Sequence, residues 1–185
     1  KLSSFILILA VAAFAGGIAG YFLFQRSYQP EETRKIGPIN QLYRVVKVID
    51  GDTIKVEIGD KVETIRLLGI NTPEVENPYR HQECFGPEAS LWAKKLLNNK
   101  KVYLLPDSQA PNRGKYGRLL RYVFLPNGEF VNADLIKNGY AFEYIYQPFQ
   151  FMKYFSFLEQ NAKNNKIGLW GKSCDYYSKL KNSKI

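Results

Sequence analysis

The stretch "YRVVKVIDGDTIKVEIGDKVETIRLLGI", residues 43 to 70, constrains the fold of this chain more than any other. Ile54, Val56 and Ile58 alternate with Lys55 and Glu57. That period of two turns one strand face toward a core and the other toward water. Gly51 inside "DGDT" marks one tight turn and Gly59-Asp60 a second. Three antiparallel strands in a meander follow. Asp52 then falls at the start of the second strand, and Arg66 lies on the opposite face of the third from Ile65 and Leu67.

The period changes beyond this meander. In "FGPEASLWAKKLLNNK", Ala89, Trp92, Ala93, Leu96 and Leu97 fall on one helical face, with Pro87 at the entry. "KVYLL" and "GRLLRYVFL" read as two more strands, separated by a polar loop from Pro106 to Lys115. "VNADLIKNGY" reads as a short helix closed by Gly139, and Phe151, Tyr154, Phe155, Leu158 and Ala162 form another helical stripe before "IGLW". The expected class is α+β, mainly β. Five strands, with a helix between the third and fourth, suggest an OB-fold barrel with about three helices.

A separate object precedes the barrel. "LSSFILILAVAAFAGGIAGYFLF", Leu2 to Phe24, carries no charge and lies between Lys1 and Arg26. About 20 predominantly apolar residues are enough to span a bilayer. The segment is therefore expected to be an N-terminal transmembrane helix. The competing reading is a signal peptide cut near Ala13-Phe14-Ala15, although the apolar run continues past that point. The expected organisation is an anchor over 1–26, a linker over 27–40, the barrel domain over 41–172 and a polar tail over 173–185.

Lys and Arg total 26 against 17 Asp and Glu, a formal net charge of +9, which favours an acidic partner such as nucleic acid or an anionic membrane. With a single histidine, Ser-His-Asp and multi-histidine zinc chemistry are nearly excluded. His81, Glu83 and Cys84 in "RHQECFG" are too close together to wrap one ion without distant ligands. Cys84 and Cys174 are the only cysteines. Outside the cytoplasm they would form one disulfide; inside it they would be free thiols.

Asp52, Asn71, Thr72 and Glu74 cluster around two turns. Asp and Asn are ordinary turn formers, and on spacing alone that reading stands beside a metal site. A hard cation such as calcium takes carboxylate, amide and carbonyl oxygens, which Asp52, Asn71 and Thr72 can supply. Arg66 and Arg118 are either solvated surface charges or a phosphate clamp, since guanidinium groups bind phosphate oxygens as a bidentate fork. Two arginines, two carboxylates and a loop amide are the set that phosphodiester hydrolysis needs.

The chain resembles the thermonuclease family, of which staphylococcal nuclease is the type member. The stretches "VIDGDTIKV", "IRLLGINTPE", "FGPEAS", "KYGRLLRYVF", "VNADLIKNGYA" and "YIYQP" carry the resemblance, in the family's order and at close to its spacings. It implies a calcium-dependent nuclease on an OB-fold barrel, cleaving DNA and RNA on the 5′-oxygen side of phosphorus and leaving 3′-phosphates. By position, Asp52 and the Thr72 carbonyl resemble the calcium ligands. Glu74 resembles the glutamate that orients or deprotonates the attacking water, and Arg66 and Arg118 resemble the arginines on the phosphate. Lys115, Tyr116 and Tyr144 align with groups around the bound nucleotide; rim packing is the alternative for both tyrosines. One departure stands at Asn71, where the type sequence has aspartate. The amide keeps an oxygen but removes a negative charge, which bears on calcium affinity rather than on the fold.

The implied molecule is a monomer that meets DNA and RNA as substrate and the membrane through its N-terminal helix. A nuclease facing the cytoplasm would threaten its own cell, so the domain is expected outside it. It would be membrane-anchored there, or secreted after signal cleavage. The alternative function is a non-catalytic, membrane-tethered nucleic-acid-binding OB-fold module. Such a binder would not need Asp52, Arg66, Glu74 and Arg118 together.

Overall fold

The computed structural model describes residues 41–171, apart from 77, 79 and 80, together with Cys174. The expected anchor over 1–26 and linker over 27–40 lie outside these residues, as does the expected tail apart from Cys174. Among the described residues no helix is long and apolar enough to cross a membrane.

The meander expected from the alternating stretch forms β1 (Tyr43–Val48), β2 (Thr53–Ile58) and β3 (Lys61–Leu67). Each pair is antiparallel, with Val56 opposite Val45 and Ile54 opposite Ile65. These four side chains are buried, and burying one fully contributes roughly 1.5–3 kcal/mol. After the two-residue strand β4 (Ile70–Asn71), helix α1 (Gly86–Leu97) leads into β5 (Lys101–Leu105) and then β6 (Leu119–Phe124). The barrel closes in the order β1-β2-β3-β6-β5. Its closure depends on the parallel pairing of β3 with β6, which sets Ile65 beside Leu119 and Arg66 beside Leu120. Arg118, one residue before β6, is thereby brought to the Arg66 region.

Helix α2 (Val131–Lys137) packs on β6 and on α3 (Met152–Asn164), and a 3-10 turn over Gly168–Trp170 follows. The α3 stripe buries Phe155, Leu158 and Ala162. Tyr122 of β6 is fully buried among the rings of Phe130, Phe151 and Phe155. Its hydroxyl donates to Asp107, which also accepts the Gln150 N–H at 2.7 Å. The loop after β5 is thus tied to the entry of α3.

Two details differ from the sequence reading. On α1 only Ala89, Ala93 and Leu97 of the expected face are fully buried. Trp92 is half-buried, its ring tilted against Tyr140 at a centroid distance of 5.4 Å. The second is β4 itself, which pairs with β7 (Phe142–Glu143) as a separate two-stranded sheet. It fixes the segment carrying Asn71 to the segment just before Tyr144.

Candidate active site

The turn between β1 and β2 builds the site. The Asp52 N–H donates to Asp50 Oδ1 at 3.0 Å, and the Ile49 N–H donates to the Thr53 carbonyl at 2.9 Å. Gly51 is required here by close approach, because a Cβ at this position would lie 2.6 Å from Thr72 Cγ2. With Thr72 seated on the turn, its N–H donates to Asp52 Oδ2 at 2.8 Å and its hydroxyl to the same oxygen at 3.2 Å. The other carboxylate oxygen accepts the Thr53 hydroxyl at 3.0 Å. Asp52 is buried, at 6% exposure, and its carboxylate accepts these three hydrogen bonds from Thr72 and Thr53.

Arg66 completes this knot. Its Nη2 lies 3.0 Å from Asp52 Oδ2 and donates to Asn71 Oδ1 at 2.9 Å. Nη1 donates to the carbonyls of Leu67 at 2.8 Å and Ile70 at 2.7 Å. Among the described residues Nε–H is the guanidinium donor with no partner. Arg118 is held more loosely, through a 3.5 Å contact from Nη1 to the Thr53 hydroxyl. No carboxylate pairs with it among the described residues. Burial first, and then the charge of Arg66, lower its pKa, although a guanidinium stays charged at any ordinary pH.

Asp50 has a role here that its place in the turn did not reveal. Burial, and then the neighbouring Asp52 charge, push its carboxyl up to about 6. The Arg66 charge opposes that shift without cancelling it. The repeated aspartates of "DGD" were the available signal. Thr53 was also missed, although its hydroxyl links Asp52 to Arg118.

Glu74 lies two residues beyond Thr72, half-buried. Its backbone is clamped by Glu83: the Glu74 N–H donates to Glu83 Oε2 at 3.0 Å, and the Glu83 N–H donates to the Glu74 carbonyl at 2.9 Å. That carbonyl also packs on Gly86, where a Cβ would lie only 2.2 Å away. The next residue after Glu83 is Cys84, which forms a disulfide with Cys174 across a separation of 90 residues. Among the described residues no three His, Cys, Asp or Glu side chains gather as a metal-binding group.

The remaining predicted residues are all exposed. Tyr116 is 74% exposed, with the Arg118 guanidinium 5.6 Å from its ring centroid and Lys115 Nζ at 5.7 Å. Tyr144 stands on a different segment, its N–H donating to the Gly69 carbonyl at 2.9 Å and its ring parallel to Tyr146 at 6.2 Å. The structure therefore joins Asp52, Arg66, Asn71 and Thr72 directly, reaches Arg118 through Thr53, and sets Lys115 and Tyr116 beside Arg118.

The sequence profile of the family described as staphylococcal nuclease homologue matches residues 64–172. A thermonuclease of Staphylococcus hyicus is 37% identical over 131 residues, covering 70% of this chain and 76% of that protein. An uncharacterized protein of Methanocaldococcus jannaschii is 39% identical over 146 residues, covering 69% of this chain and 70% of that protein. An endonuclease of Bacillus subtilis is 40% identical over 129 residues, covering 69% of this chain and 60% of that protein.

Proposed function

The chain belongs to the staphylococcal nuclease family, and on that premise we propose that it is a metal-dependent nuclease hydrolysing the phosphodiester bonds of DNA and RNA. The observation that carries this reading is Arg118. Its cation lies beside the Asp52–Arg66 knot, and among the described residues no carboxylate forms an ion pair with it. A partly buried cation in such a place favours an anionic ligand, and a guanidinium fits phosphate.

The donor set fits a hard cation. The oxygens offered to a hard cation at the turn are the Asp52 carboxylate, the Asn71 amide oxygen and the Thr72 carbonyl; Arg66 Nη2 contacts Asp52 Oδ2 and Asn71 Oδ1, so a cation there would displace it. Calcium suits such ligands, and once bound it would supply charge neutralisation on the phosphate. Asp52, Asn71 and Thr72 would hold it.

The chain's own groups supply the rest. Arg118, and Arg66 through its remaining Nε–H, stabilise the negative charge that grows on the phosphoryl oxygens. Glu74 orients the attacking water and accepts its proton as the new oxygen–phosphorus bond forms. The bond from phosphorus to the 5′-oxygen breaks, leaving a 3′-phosphate and, after protonation, a 5′-hydroxyl. Lys115, Tyr116 and Tyr144 bind the flanking nucleotide by charge and by stacking.

The domain works outside the cytoplasm, held at the membrane by the uncharged N-terminal segment. The disulfide supports an oxidising compartment. The test is degradation of plasmid DNA and of RNA with calcium and with EGTA, alongside a DNA-binding measurement. Metal-dependent cleavage is expected. DNA binding without cleavage under any metal would replace the enzyme with a non-catalytic binding module.

A further inference from the structure

The outer face of the β1-β2-β3 sheet carries a pair of cations that the site above does not use. Lys47 of β1 and Lys55 of β2 are direct cross-strand partners, and Lys55 is in turn opposite Thr64 of β3. Partnered residues project to the same side of a sheet. Ile54, Val56 and Val48 fill the barrel interior, so Lys55 and Lys47 stand on the outer face, with Lys47 exposed. Like charges placed directly opposite each other are destabilising. Neither ammonium has a carboxylate partner among the described residues. The one carboxylate along this face of β2, Glu57, is engaged by Arg44 in a two-point ion pair.

The pair is aligned with the cleavage site. On β2, Lys55 is two residues from Thr53, which is opposite Arg66 and touches Arg118. On β3, Thr64 precedes the parallel ladder that sets Ile65 beside Leu119, so one further step of that register puts Arg118 beside Thr64. The row across the sheet therefore reads Arg118, Thr64, Lys55, Lys47. Neighbouring strands are about 4.8 Å apart, so Lys55 stands roughly 10 Å from the Arg118 position and Lys47 one strand further. Cations so placed extend the phosphate clamp along the sheet surface.

We propose that Lys47 and Lys55 form a second phosphate subsite, taking the backbone of a nucleic-acid strand beyond the scissile phosphate. This rests on the nuclease reading and adds to it a preference for polymer over single-linkage substrates. The subsite contributes charge without base contacts, so it is indifferent to sequence.

The experiment compares the wild type, Lys47→Gln/Lys55→Gln and Lys47→Arg/Lys55→Arg. Two substrates are used: a single-stranded DNA oligomer, and a dinucleoside monophosphate whose one phosphate is the scissile one. The glutamine pair is expected to raise KM for the oligomer about tenfold and to flatten its salt dependence by roughly 1.4 in log–log slope, the value for two single-strand phosphates. It should leave dinucleotide cleavage unchanged, and the arginine pair should retain wild-type oligomer kinetics. Equal losses on both substrates, or no change on the oligomer, would overturn the subsite. A wild type that cleaves neither substrate refutes the nuclease reading instead. Oligomer binding by fluorescence anisotropy with metal chelated then still reads the lysines: weaker binding in the glutamine pair supports them, and unchanged binding removes them.

Discussion

Breaking the Cys84–Cys174 bridge tests both the stability of this domain and the seating of Glu74. The bridge closes a loop across a separation of 90 residues. By the chain-entropy relation, a cross-link of that span removes about 4–5 kcal/mol of disorder from the unfolded ensemble. For a domain of this size a loss of that order lowers the Tm by roughly 10–20 °C. The perturbation is Cys84→Ser/Cys174→Ser, or reductant added to the native protein, followed by thermal unfolding. A fall in Tm of less than about 2 °C would refute the reasoning, because the unfolded state would then gain almost nothing from release. Activity supplies a second readout. Cys84 directly follows Glu83, whose backbone N–H and carboxylate clamp Glu74. Loosening that clamp below the Tm should lower kcat more than it raises KM. A fall in Tm with kcat unchanged would confine the disulfide to stability and separate it from Glu74.

Glu74→Gln and Arg118→Ala are each expected to lower kcat by about 10²–10³, measured at saturating metal; near-native turnover in either would remove that residue from the proposed chemistry. Asn71→Asp restores a negative charge to the turn and should lower the calcium concentration for half-maximal activity, with little change in saturated turnover. Identical calcium midpoints would take Asn71 out of the metal site. Asp50 makes the metal-free protein pH-sensitive. Its folded pKa of about 6 exceeds that of an unfolded carboxyl, so the folded state holds the proton more tightly and stability falls as pH rises from about 4 to 6. Asp50→Asn should flatten that part of a chemical-denaturation profile measured in EDTA, and an unaltered slope would contradict the assignment.

The parts legible in the sequence are those that a local period encodes. β2 was readable because Ile54, Val56 and Ile58 alternate with charges, and α3 because Phe155, Leu158 and Ala162 recur at helical spacing. The pairing of β4 with β7 was not, since two-residue strands have no period and their partners lie some seventy residues apart. The knot around Asp52 was legible as a list of residues but not as a geometry. Nothing local says that Thr72 settles on Gly51, or that Arg66 turns back onto the carbonyls of Leu67 and Ile70. Glu83 shows the same limit from the other side. It sits in "RHQECFG", which looked like a failed metal motif, while its contribution is a pair of hydrogen bonds to the Glu74 backbone.

The site residues divide by how much of the fold they also support, and that division governs how their variants must be interpreted. Asp52 and Arg66 have side-chain exposures of 9% and 12%, and between them they bind Thr72, Asn71 and the carbonyls at 67 and 70. Removing one partner of such a pair strands the other charge in a low-dielectric place, which costs about 3–5 kcal/mol. Native domains have only about 5–15 kcal/mol to lose. A dead Asp52→Ala or Arg66→Ala enzyme is therefore as well explained by a disordered turn as by lost chemistry. Arg118 differs. Among the described residues its side chain makes a 3.5 Å contact to Thr53 and a ring contact with Tyr116, so little of the fold depends on it. The rate loss of an Arg118 variant with native Tm therefore measures transition-state charge stabilisation, and the contrast with Arg66 separates the clamp's chemistry from its architecture.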